Sequence, residues 1–391
     1  MPEAGTLALW LLPVAAATGW YLARRSSRLM GKRESDVNAD YLQGLGHLVN
    51  EDADKAIQVF TRLLEVDQDT VEIHLALGNL FRRQGEVDRA LRIHQNLVAR
   101  PSLSDQHRRQ ARFELAQDYL RAGVLDRAED LFRELAQQPP FRERALAGLV
   151  GIYEQERDWQ QALEITRELE GVRGHSLRPV IAQYLCELAE EARRQGDLRK
   201  AMSCLQHACS EYRECVRASL MQGEIEETQG NYENATRAYL RVVEQDIEFA
   251  SEVIEPLVRC HERLSRPKAL RECLEQIAGR YDGPAPRIAM ARLLAQQGQV
   301  TEALTYLARA LHSQPSWVGL EQLLQLAPAA NDPLQSSLNS LRAALKRVTD
   351  ASPRYQCSHC GFLARTLYWQ CPGCRQWNSV TPLKDVVPKI V

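Results

Sequence analysis

From about residue 37 to residue 348, apolar side chains recur at three- and four-residue intervals and are interrupted only by short polar or glycine-bearing turns. That pattern predicts helix after helix. A longer period is laid over the short one. Alanines recur in one setting, shortly after a turn: Ala56, Ala90, Ala128, Ala162, Ala201, Ala235, Ala269 and Ala303. Their successive spacings are 34, 38, 34, 39, 34, 34 and 34 residues.

A period of 34 is that of the tetratricopeptide repeat, a pair of antiparallel helices. Other positions fall in register with the alanines. Twelve residues earlier stands a residue that is usually small or compact: Gly44, Gly78, Ala116, Val150, Ala189, Gly223, Leu257 and Ala291. Four residues later, Phe60, Phe132, Leu205, Tyr239 and Leu307 suit a large apolar slot, whereas His94, Thr166 and Cys273 suit it less well. The expectation is that the small residue lets the second helix cross closely and that the alanine answers it at the contact. One hairpin cannot bury its own apolar face, so about eight to nine units stack into an all-α tetratricopeptide-repeat superhelix over 37–348. The 38 and 39 spacings mark longer linkers or helices near Pro101–Gln110 and Gly171–Pro179. Trp317–Val348 carries two helical patterns without a clear alanine, as in a degenerate ninth unit or a capping pair.

The two ends break the pattern. Ala4–Ala23 is an uncharged run of 20 residues, long enough as a helix to span a hydrocarbon core of roughly 30 Å. Trp20 and Tyr21 lie at its carboxyl end, and Arg24, Arg25, Arg28, Lys32 and Arg33 follow. A cleaved signal peptide carries its basic residues before the apolar stretch, so the order here favours an N-terminal transmembrane helix over 1–25 with a basic linker over 26–36. The positive-inside rule puts the rest of the chain on the cytoplasmic side.

At the other end, over 349–391, stand Cys357-Ser-His-Cys360 and Cys371-Pro-Gly-Cys374, ten residues apart. Two Cys-x-x-Cys turns facing one another make a closed tetrahedral thiolate site, here Cys357, Cys360, Cys371 and Cys374. A closed site holds a fold together and does not activate water. The segment is too short to bury a core of its own, so the metal supplies folding free energy. A thioredoxin-type pair would need a βαβ context, and disulfides would need an oxidising compartment. His359 reads as a solvent-facing loop residue, since four thiolates already complete the set. Gly361 supplies a left-handed turn after the first knuckle; Arg375 stands at the matching place of the second, which makes that turn less suited. Leu367-Tyr368-Trp369 is β-prone and is expected to lead into the second knuckle as a strand. Trp369 and Trp377 are expected to shield the sulfurs or to dock onto the helices, with base stacking as the sharper alternative.

Composition narrows the functions. With 49 basic and 51 acidic residues the net charge is −2, so no global field recruits nucleic acid. Cys186, Cys204, Cys209, Cys215, Cys260 and Cys273 lie within helical patterns and read as small buried hydrophobes in a reducing compartment. There is no P-loop and no H-E-x-x-H, and Gly44-Leu-Gly46 lies inside a helix pattern. The histidines show no ligand spacing. Catalysis is not expected.

Three stretches carry a resemblance: LLPVAAATGWYLARRS at the amino end, TVEIHLALGNLFRRQGEVDRALRIHQNLV in the second repeat, and CGFLARTLYWQCPGC in the tail. With anchor, array and knuckles in this order, the chain resembles the lipopolysaccharide assembly protein B family over nearly its whole length. The resemblance implies a small C-terminal rubredoxin-like metal-binding β domain with one iron or zinc ion on the four cysteines. It implies placement in the bacterial inner membrane facing the cytoplasm. It further implies an adaptor for the membrane protease FtsH that promotes degradation of the LpxC deacetylase, together with other lipopolysaccharide assembly and sensing membrane proteins as partners. Two other readings compete: an electron carrier built on a redox-active iron tail, and a nucleic-acid-binding zinc ribbon on a helical scaffold.

Overall fold

A computed structural model describes residues 71–101, 103–327 and 334–385, with isolated helical positions at Gln43, Lys55 and Val59. The apolar run, the basic linker and most of the first repeat, including Gly44, Ala56 and Phe60, lie outside the described residues. Among the described residues no helix is long and apolar enough to cross a membrane.

The chain divides into two compact units, 1–156 and 157–391. The first holds α1 (Val71–Arg83), α2 (Val87–Val98), α3 (Asp105–Ala122), α4 (Leu125–Ala136) and α5 (Arg142–Glu156). The second holds α6 (Trp159–Arg173), α7 (Arg178–Arg194), α8 (Leu198–Glu211), α9 (Val216–Thr228), α10 (Tyr232–Gln245), a 3-10 turn (Ile247–Phe249), α11 (Ala250–Arg263), α12 (Pro267–Arg280), α13 (Ala285–Gln296), α14 (Val300–Ser313), α15 (Trp317–Leu326) and α16 (Leu334–Ala351). It ends in three short strands, β1 (Tyr355–Cys357), β2 (Leu363–Ala364) and β3 (Val380–Pro382). Within each unit successive helices pack as antiparallel hairpins.

The recurring alanines mark the buried contact of each second helix. Ala90, Ala128, Ala162, Ala201, Ala235 and Ala303 are all fully buried. Each stands four residues after the residue that precedes its helix: Glu86, Val124, Asp158, Asp197, Asn231 and Gln299. The seventh unit departs from this. Its helix α12 begins at Pro267 after Arg266, so the equivalent position is Leu270, which is buried, while Ala269 is only half-buried. Four residues on, the large slot is filled by Leu274, fully buried, and not by Cys273. The poor fit of Cys273 in the sequence is therefore a register shift of one residue. Proline is favoured at the first helical position because its fixed φ suits it and its missing N–H is not needed there, and that sets where α12 starts.

The turn inside each unit confirms the shift. Five residues before the buried position stands a residue at positive φ: Gly85, Gly123, Arg157, Gly196, Gly230, Ser265 and Gly298. Ser265 is five before Leu270, in step with the others.

Two of the small residues on the first helices face a ring on the second helix. A Cβ on Gly78 would lie 2.4 Å from the His94 ring, and one on Gly223 would lie 2.4 Å from the Tyr239 ring. The glycines make room for the large side chain four residues beyond the alanine. His94 thus belongs to the slot it seemed to suit poorly. It is fully buried, and its Nδ1 lies 2.5 Å from Asp118 Oδ2. Arg82 donates to the other oxygen of Asp118 at 2.8 Å and to Glu114 at 2.7 Å. A buried carboxylate held by a cation and an imidazole replaces apolar packing between α1, α2 and α3, as burial of charge demands.

Candidate metal centre

The two knuckles are built alike. In the first, Gly361 N–H donates to Cys357 O at 3.0 Å and Cys357 N–H to Phe362 O at 2.8 Å. In the second, Arg375 N–H donates to Cys371 O at 2.8 Å and Cys371 N–H to Gln376 O at 2.9 Å. Gly361 and Arg375 both adopt left-handed backbone, φ 75° and 57°. Arg375 therefore makes the same turn as the glycine, at a steric cost a Cβ imposes.

These turns bring all four Sγ atoms within 4.8 Å of one another. Cys357 and Cys374 are 3.7 Å apart, as are Cys360 and Cys371. Sulfurs placed tetrahedrally at about 2.3 Å from a central ion have edges of about 3.8 Å. The donor set therefore fits one tetrahedral ion, with no coordination position left open. All-thiolate donors suit iron and zinc alike. His359 is not among the four.

The electrostatics point the same way. The Ser379 hydroxyl, 3.4 Å from Cys357 Sγ, leads in holding that thiol's pKa down at about 5, joined by the Cys360 N–H at 3.5 Å. At Cys360 the Phe362 N–H favours the thiolate, yet desolvation within the sulfur cluster and the three neighbouring sulfurs push its pKa up to about 12. Four thiolates at this spacing repel one another, and a cation among them relieves that repulsion.

The sheet runs β2-β1-β3, all antiparallel, with Tyr355 opposite Ala364 and Cys357 opposite Val380. The strand expected at Leu367-Tyr368-Trp369 is absent; the second strand is Leu363–Ala364, and near the second knuckle there is only a bridge between Gln370 and Trp377. The β-prone side chains of that segment are used elsewhere. Trp369 stacks on Phe249 at 5.8 Å and 10°, and the Arg217 guanidinium lies 5.9 Å from its ring centre. Trp377 meets Trp159 and Tyr184 edge-on at 6.1 and 5.8 Å.

Polar contacts complete this docking. Gln183 donates to Asn378 at 2.6 Å. Tyr355 O–H lies 3.1 Å from Glu252, where burial raises the carboxyl pKa and the tyrosine hydrogen bond opposes that rise. Lys384 pairs with Glu248 at 3.4 Å and Asp282 at 3.6 Å. The tail thus packs on α6, α7, α9, the 3-10 turn and α11 of the second unit. Of the roles considered for the two tryptophans, docking is the one observed. The platform residues Trp159, Gln183, Tyr184, Arg217, Phe249 and Glu252 had no sequence signal: Gln183 and Asn378 are 195 positions apart.

Residues 355–382 match the family model of a rubredoxin metal binding domain, and 41–102, 113–171 and 186–248 match the tetratricopeptide repeat. Lipopolysaccharide assembly protein B of Escherichia coli (strain K12) is 36% identical over 379 residues, covering 96% of this chain and 97% of that protein. The chain belongs to the lipopolysaccharide assembly protein B family. The Haemophilus influenzae protein of the same name is 33% identical over 390 residues, with the same coverage. A solved tetratricopeptide repeat protein from Parabacteroides merdae overlaps 74% of this chain and 98% of its own at 13% identity, with a TM-score of 0.33. So low a score leaves the assignment to the lipopolysaccharide assembly protein B relatives.

Proposed function

We propose that this chain is a non-enzymatic adaptor that restrains lipopolysaccharide synthesis by promoting FtsH-dependent proteolysis of the LpxC deacetylase. The observation that carries the reading is the near-full-length likeness to proteins named for lipopolysaccharide assembly. In this reading the apolar run at 4–23 holds the chain in the inner membrane with its bulk on the cytoplasmic side. The repeat scaffold supports it, because stacked helical hairpins offer long surfaces for peptides and proteins. Anchoring such a scaffold beside a membrane protease raises the local concentration of substrate. The closed thiolate site also suits it, since a coordinatively complete ion stabilises and presents a surface. Iron or zinc would do this equally.

The test is the half-life of LpxC in cells carrying the wild-type chain, a Cys357→Ser/Cys360→Ser double variant, or a deletion. Deletion is expected to lengthen the half-life, and the double variant to do the same while remaining in the membrane. An LpxC lifetime untouched by deletion would overturn the adaptor role. An effect of deletion without one of the double variant would confine that role to the array.

A further inference from the structure

Outside the metal centre the second unit holds another sulfur cluster. Cys186 on α7 and Cys215 at the residue preceding α9 are both buried, with their Sγ atoms 3.8 Å apart. They are 29 residues apart in sequence, one on the first helix of a repeat and the other at the start of the first helix of the next. A disulfide needs the sulfurs at about 2.05 Å, so the pair must close by a little under 2 Å, within reach of side-chain rotation and a small helix shift. Two thiols packed only as small hydrophobes have no need to face each other.

We propose that Cys186 and Cys215 form a reversible intramolecular disulfide when the protein meets hydrogen peroxide.

The surroundings supply the chemistry. The Cys215 thiol is held below its usual range by the hydrogen bond from Cys186, against burial, with help from the Ala218 N–H and Arg217. Burial pushes the Cys186 thiol up. One member is thus poised as the nucleophile and the other as a retained thiol. A third cysteine, the half-buried Cys209, lines an open cleft of about 480 Å³ with Gln222 and Arg241 and lies within electrostatic reach of both. Through Cys209 that cleft brings solvent to the neighbourhood of the pair.

In the first step the Cys215 thiolate attacks one peroxide oxygen and the O–O bond breaks. Cys215 becomes a sulfenic acid, and the departing hydroxide takes a proton to leave as water. In the second step Cys186 loses its proton and its sulfur attacks the Cys215 sulfur. The S–O bond breaks, and the hydroxyl leaves with that proton as the second water. Two thiols lose two electrons and two protons, and one peroxide becomes two waters. Gln183, one turn before Cys186, and Arg217, two residues after Cys215, both hold the metal tail, so closing the bridge shifts the platform on which Trp369 and Asn378 rest.

The test uses the full-length, metal-loaded protein. It is exposed to hydrogen peroxide over a time course, its remaining thiols are blocked with N-ethylmaleimide in denaturant, and it is digested without reductant for mass spectrometry. The expected product is a peptide pair joined through Cys186 and Cys215, lighter by two hydrogens, abolished by dithiothreitol and missing from Cys186→Ser. In that variant Cys215 is expected to accumulate a sulfenic acid that dimedone traps. If Cys186 and Cys215 both still carry N-ethylmaleimide when the exposed Cys360 or Cys209 has been oxidised, the proposal fails. It fails equally if Cys215 is found joined to Cys209. A cysteine-to-alanine change at 186, matched for melting temperature, separates loss of the bridge from loss of fold.

Discussion

Left-handed backbone recurs at defined single residues, and its cost depends on whether a Cβ is present. Gly361 and Arg375 make equivalent turns after the two knuckles, and no heavy atom would crowd a Cβ on Gly361. The difference between them is conformational, roughly 1–2 kcal/mol for a non-glycine in this region. Gly361→Ala is therefore expected to lower the stability of the metal-bound tail by about 1 kcal/mol. Arg375→Gly should leave it unchanged or raise it by up to about 1 kcal/mol, since the relief of strain is offset by the extra freedom of glycine in the unfolded chain. Melting curves with the metal bound would show Gly361→Ala melting lower and Arg375→Gly melting no lower than the wild type. A loss of stability in Arg375→Gly would mean that the arginine side chain contributes more than its backbone costs.

At the scale of the element, the helix boundaries decide which side chains reach the core. The one-residue shift in α12 gives a sharp contrast. Leu274→Ala is expected to cost about 2–5 kcal/mol, as for a fully buried leucine, whereas Cys273→Ala beside it should cost under about 1 kcal/mol. Comparable losses at both positions in denaturant melts would return α12 to the register of the alanine count. Much of the array was legible in the sequence, because a buried alanine, a glycine turn and a large side chain recur at fixed offsets. Ala90, Ala128 and Ala303 fall where the period puts them. What the period could not show was a helix start moved by Pro267, or a histidine whose partner Asp118 lies on the next helix. The gathering of Cys357, Cys360, Cys371 and Cys374 into one cluster was legible from their spacing alone. The absent strand at Leu367–Trp369 was not, because Trp369 answers to Phe249 and Arg217, more than a hundred residues upstream.

At the scale of the second unit, the tail and the helices beneath it form one packed body joined through Trp369, Trp377, Tyr355 and Lys384. Removing the metal, by chelation or through Cys357→Ser/Cys360→Ser, withdraws the folding energy of the tail. The expected result is a red shift in tryptophan emission and faster amide exchange around Tyr184 and Phe249. Unchanged exchange there would show that the tail stays seated without its ion. The Glu252 carboxyl adds a pH dependence. Its pKa is raised by burial, so the fold binds this proton more tightly than the unfolded chain does. The stability it contributes is full below the ordinary glutamate pKa and declines as pH rises through the raised value. Glu252→Gln, which mimics the protonated form, should melt close to wild type near about pH 4 and above it near about pH 7. A constant difference between the two proteins would assign no titration to this site.

Seating the tail on these helices gives their face two claimants whenever a protein partner binds there. Binding and metal retention then become linked quantities, and the linkage must run both ways. A partner that lifts Trp369 off Phe249 would loosen the ion by the same factor by which the ion opposes the partner. The ion's affinity would then report on occupancy of the repeat face, with no label placed on either protein.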